Sequence, residues 1–263
     1  MTRAGGRALT SGSPAYERAT PVGPAALLLL VAGGCWAVTV HRMRGMDMGP
    51  GTDLGGLGSF AVLWLTMMAA MMLPSLAPMA HAHAGRSRAA GARRPSFGSA
   101  LFAAGYLATW LAAGMLAYAV VRLLAGLDLG WLAWDRAGPY VAGGVILAAA
   151  VYELTPLKAR CLRHCRRPEL LARRWRAGPR GALLTGLEHG GFCVGASWAL
   201  MAVLFVIGIM NVTWMVVVAS LVAFEKLLPR PGLAVALTAL LVAALALGVA
   251  FAPEQVPWLT VPM

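Results

Sequence analysis

Seven stretches of this chain are apolar over roughly the thickness of a lipid bilayer, and no other feature narrows its possible folds so far. They lie at about 24–40, 58–80, 97–121, 138–156, 181–210, 212–228 and 231–251, parted by turns rich in Gly, Pro, Arg or Asp. At ~1.5 Å per residue, about 20 apolar residues in a helix cross a hydrocarbon core of ~30 Å. A water-soluble domain would need these runs short and broken. Bulk composition agrees, with 59% hydrophobic and 12% charged residues and a mean hydropathy of +0.72. The expected fold is all-α, a polytopic transmembrane helix bundle of about seven spans. Residues 1–23 are polar and read as a flexible tail, longer than the basic start of an ordinary signal sequence, so the first span reads as a retained helix. Residues 24–263 read as a single transmembrane helical domain, because the short loops leave no room for a second one.

The formal net charge is +12, and its placement matters more than its size. Arg3, Arg7 and Arg18 lie in the tail, and Arg86, Arg88, Arg93 and Arg94 follow the second span. Nine basic residues from Lys158 to Arg180 follow the fourth, and Lys226 and Arg230 stand at the end of the sixth. The alternate loops carry Arg42, Arg44 and Arg136 beside Asp47, Asp53, Asp128 and Asp135. This is the positive-inside pattern, with a cytoplasmic N-terminus and an external C-terminus. The partner that such charge implies is the lipid bilayer with its anionic face, and not nucleic acid.

Soft metal ligands fall into an order once the sides are assigned. On the outer side, HRMRGMDMGPGTDLGG brings His41, Met43, Met46 and Met48 within eight positions. Thioether sulfur is soft and neutral and suits copper(I); the alternative is a flexible loop that happens to hold three of the chain's 14 methionines. In the second span, TMMAAMMLPSLAPM stacks Met67 with Met71 and Met68 with Met72 at i,i+4, either as mid-membrane ligands or as apolar filler. Pro74 and Pro78 follow and are expected to kink that helix.

On the inner side, YELTPLKARCLRHCRRPELL places Cys161 and Cys165 one helical turn apart, with His164 beside them. A reducing compartment argues against a disulfide, which leaves metal ligation or an ordinary juxtamembrane helix. GLEHGGFCVGASWALM, residues 186–201, adds His189 and Cys193, again at i,i+4. Polar groups at such a depth cost free energy unless something binds them. If the two pairs converge near the inner leaflet, Cys161, Cys165, His189 and Cys193 form a three-sulfur, one-nitrogen set that fits copper(I) or zinc. The structural alternative has His189 and Glu188 satisfying each other or backbone carbonyls at a helix crossing. Glu188, with Glu153 and Glu225 near the inner ends of their helices, is placed as a supporting or proton-carrying group. Gly191 and Gly195 have the spacing for close helix approach.

The segments MMAAMMLPSLAPM, YELTPLKARCLRHCRRPEL and GALLTGLEHGGFCVGASWALMAVLFVIGIMN, followed by WM and EKLLP, together resemble a bacterial family of predicted metal-binding integral membrane proteins of unassigned function. The resemblance runs from about Gly33 to Pro229. It implies a multi-pass protein of the bacterial inner (plasma) membrane that binds a metal, and it implies no reaction. Members typically carry two cysteines before the tryptophan, where Ala196 and Ser197 precede Trp198 here. Methionine and histidine outside, methionine mid-membrane and cysteine with histidine inside match, by analogy, the ligand order of eukaryotic copper-uptake channels. The reading that follows is a copper(I)-handling protein that moves the ion inward or delivers it to a membrane metalloenzyme or metallochaperone. Its alternatives are a membrane-embedded metal-dependent enzyme, although no HExxH, nucleophile elbow or phosphate loop is present, and a structural or assembly subunit of a membrane complex.

Overall fold

The computed structural model describes residues 23–44, 55–126, 137–208 and 211–256. Residues 1–22 of the expected tail, and Met46 and Met48, lie outside the described residues. Within them the fold is all-α. The helices are α1 (Gly23–Met43), α2 (Leu57–Ala89), α3 (Pro95–Ala125), α4 (Gly138–Glu153), α5 (Pro156–Arg166), α6 (Pro168–Arg174), α7 (Gly178–Ile207), α8 (Val212–Leu227) and α9 (Pro231–Phe251). Proline occupies the first turn of α3, α4, α5, α6, α7 and α9, where its missing N–H costs nothing. In α2 the helix instead continues through Pro74 and Pro78.

Five helices are long and apolar enough to cross a membrane: α1, α2, α3, α7 and α9. The fourth expected span ends early. Thr155 leaves the helix, its hydroxyl accepts the Lys158 N–H at 3.3 Å, and Pro156 starts α5 at 64° to α4. The sixth run forms a helix of only 16 residues, held between the Asn211 cap and Pro229, about 24 Å long at ~1.5 Å per residue. Five long helices, one bent pair and one short helix thus stand, among the described residues, where seven apolar runs were expected. The basic 157–180 segment, expected as a loop, is helical as α5 and α6.

The bundle is organised by α3 packed along α7, α1 along α2 and α4 along α9. The α3–α7 contact is backbone to backbone: a Cβ on Gly186 would stand 2.1 Å from the Phe102 carbonyl oxygen, and one on Gly105 2.3 Å from that of Leu183. Thr109 Oγ1 crosses the same seam to the Leu187 carbonyl at 3.0 Å. The glycines that permit close approach are therefore Gly105, Gly186 and Gly190, whereas Gly191, expected at a crossing, faces open space. Gly195 does meet a neighbour, with Cys161 Sγ 2.7 Å from where its Cβ would be. Leu30, Leu116, Leu123, Leu240 and Phe251 all point outward from the bundle.

Candidate metal centre

The site is built where α5 and the C-terminal end of α8 reach the middle of α7. Cys193 lies about 22 Å from the start of α7 at ~1.5 Å per residue, near the middle of that 30-residue helix. Its sulfur is buried, and three side chains converge on it. Lys226 Nζ from α8 is 3.0 Å away, the Tyr106 hydroxyl from α3 is 3.0 Å away, and the buried Cys165 thiol from α5 is an electrostatic neighbour. The same Lys226 ammonium donates to Ser75 Oγ at 3.0 Å and lies 3.9 Å from Met72 Sδ, both on α2. Five helices therefore meet here, and the sulfurs of Met72 and Cys193 lie against one cation with Cys165 as its electrostatic neighbour. An ammonium against a buried sulfur is charge-balanced when that sulfur is a thiolate, the form that ligates metal. All four cysteines of the chain are free thiols.

Beneath the centre, a buried ion cluster fixes α5 and α8. Lys158 contacts Glu153 of α4 and Glu225 of α8, at 2.8 Å to Glu225 Oε1 and 2.7 Å to Oε2. Arg166 donates to the carbonyls of Glu225 and Leu228. Glu153 and Glu225, expected to support ligands or carry protons, here clamp a lysine. Cys165 directly precedes Arg166 in the chain, and Lys226 directly follows Glu225.

The four-ligand set expected from sequence is only half assembled. Cys165 and Cys193 meet, whereas Cys161 packs on Gly195 and His189 lies between the Phe102 and Tyr106 rings, at centroid separations of 5.8 and 6.0 Å. Among the described residues no three of His, Cys, Asp and Glu gather as a metal site. His164 stacks on Phe192 at 4.1 Å. Glu188 turns from His189 to Arg174 of α6, with Arg176 Nη2 3.8 Å from its other oxygen. Met67, Met68 and Met71 are buried in α2, and Met72 alone of the four is in contact with the Cys193 centre through Lys226. His41 and Met43 end α1 instead of starting a loop, with His41 exposed and Met43 buried.

Sequence reasoning missed Lys226, Tyr106 and Ser75. From sequence Lys226 reads as one of the basic residues that set topology, although it stands directly after Glu225 in EKLLP. Tyr106 carries no spacing signal.

A family model described as PpoB2, copper chaperone, matches residues 61–249. The chain belongs to this copper chaperone family. Copper handling in general follows. The match takes in Met72, Tyr106, Cys165, Cys193 and Lys226, and it leaves out His41, Met43, Met46 and Met48. No curated protein and no solved structure matches the chain.

Proposed function

We propose that this chain is a multi-pass protein of the bacterial inner membrane that takes copper(I) as cargo at Met72, Cys165 and Cys193, and passes it inward or hands it to a membrane metalloenzyme or metallochaperone. The observation that carries this reading is the convergence of those three sulfurs around Lys226 in the middle of the bundle. Two cysteines and a thioether are a soft, low-coordinate set that suits copper(I). A structural zinc site asks for four nitrogen or sulfur ligands, and the described residues bring no third His, Cys, Asp or Glu to the pair. Lys226 holds the positive charge of the metal-free centre, and an arriving copper(I) ion takes over that role while the long lysine stem withdraws. The membrane setting rests on five long apolar helices and an exterior of leucines that fits a hydrocarbon solvent. Orientation follows the basic clusters, with the 157–180 segment cytoplasmic. Met46 and Met48 with the exposed His41, all outside the family match, serve as a weak outer capture site, whereas Met43 is buried at the end of α1.

The test is a competitive copper(I) titration of the detergent-solubilised full-length protein under reducing conditions, against a chromophoric chelator. Cys193→Ser and Cys165→Ser should each weaken binding about 100-fold, and Met72→Leu about tenfold. Cys161→Ser and His189→Ala should stay within about threefold of the wild type. Equal losses for Cys161→Ser and Cys193→Ser would restore the four-ligand site and sink the three-sulfur one.

A further inference from the structure

A cavity of about 280 Å³ opens between the α2–α3 turn and the α6–α7 turn. Arg93 and Arg94 line it from the first turn and Arg176 from the second, and no carboxylate takes part in its wall. Neither Arg93 nor Arg94 meets a carboxylate among the described residues, and Arg176 has only the 3.8 Å approach to Glu188. Two further donors face the same space without a partner. His83 is 2% exposed and stacked on Phe102, and neither of its ring nitrogens is hydrogen-bonded. Trp175 Nε1 is likewise buried and unbonded. Ser87 completes the polar lining. The 30-residue helix α7 begins at this wall with Gly178 and Pro179, which adds the positive end of its dipole.

An orphaned buried N–H costs free energy in any folded protein, so two beside one cavity call for a shared acceptor. Three guanidinium groups make the space hostile to a metal ion and favourable to an anion. Planar N–H forks match the oxygens of phosphate in particular. The volume is ample for such a group and its hydration, at about 30 Å³ per water. We propose that this cavity is an oxyanion site that binds a phosphate group, free in solution or carried on a lipid headgroup, through His83, Trp175, Arg93, Arg94 and Arg176. The proposal does not depend on the copper reading, since the site shares no residue with the sulfur centre.

Equilibrium dialysis of the detergent-solubilised full-length protein with radiolabelled inorganic phosphate tests the free anion. Reconstitution into phosphatidylglycerol or phosphatidylcholine nanodiscs, followed by native mass spectrometry of retained lipid, tests the headgroup. Saturable phosphate binding assigns a free anion, and selective retention of phosphatidylglycerol assigns the lipid. In either arm Arg93→Gln with Arg94→Gln should weaken binding at least about tenfold. Both arginines are exposed, so this double variant should keep its copper affinity and its melting temperature. His83→Ala should weaken binding as well, but His83 is buried and the arginine variant carries the test if it fails to fold. Binding in neither arm, or binding that the arginine variant leaves unchanged, would overturn the site.

Discussion

Replacing Lys158 by methionine probes the ion cluster that supports the sulfur centre. The side chain is fully buried between Glu153 and Glu225, whose carboxylates are 0% and 2% exposed. Methionine keeps most of the stem's volume and removes the charge, so packing changes little while two carboxylates lose their shared partner. Removing one member of a buried ion pair costs about 3–5 kcal/mol, because the charge left behind is uncompensated. At roughly 2–4 °C per kcal/mol for a chain of this size, the melting temperature of the detergent-solubilised protein should fall by about 6–20 °C. A fall of less than about 3 °C would show that the carboxylates are hydrated and the cluster is not a structural anchor. Adding Glu153→Gln and Glu225→Gln to Lys158→Met removes the orphaned charge and should recover more than half of the loss. If the triple variant is no more stable than the single one, the cost comes from the packing of the lysine stem and the electrostatic argument fails. Because Cys165 shares α5 with Lys158 and Lys226 follows Glu225, the single variant should also weaken copper(I) binding, and the triple should largely restore it.

The α3–α7 seam predicts that Gly186→Ala, whose new methyl would meet the Phe102 carbonyl at 2.1 Å, costs about 1–3 kcal/mol in thermal unfolding, while Gly191→Ala is nearly silent. Similar losses at both positions would refute the register. The charge pattern predicts that a cytoplasmic reporter inserted after Arg176 is active and that a periplasmic reporter fused after Met263 is active; the reverse result in either fusion overturns the orientation.

The apolar runs made the helical fold legible, because hydropathy and length alone decide which segments can be long buried helices. What they did not show is where a run stops being one straight helix. The corner at Thr155 and the cap at Asn211 are each a single polar residue inside or beside an apolar stretch, too slight to register in a window average. The same limit applies to the site. The i,i+4 spacing put Cys161 with Cys165 and His189 with Cys193, and it fixed which residues share a helix face. It did not fix how α5 is rotated against α7. That rotation turns Cys165 to Cys193 and sends Cys161, one turn away, to Gly195. Lys226 was hidden for a related reason: a lysine at a helix end usually snorkels outward, and only tertiary contact reveals one that turns in toward a sulfur.

The sulfur centre draws Met72, Cys165, Cys193 and Lys226 from four helices scattered along the chain. During synthesis these residues leave the ribosome in that order, with the lysine last. A nascent chain that has made α7 but not α8 already holds all three sulfurs, yet lacks the ammonium that occupies the middle of the finished centre. The chain thus gains the resident cation of this centre late in its synthesis, with only α9 still to follow, and under the proposed function an arriving copper(I) ion would displace a lysine instead of finding bare thiols.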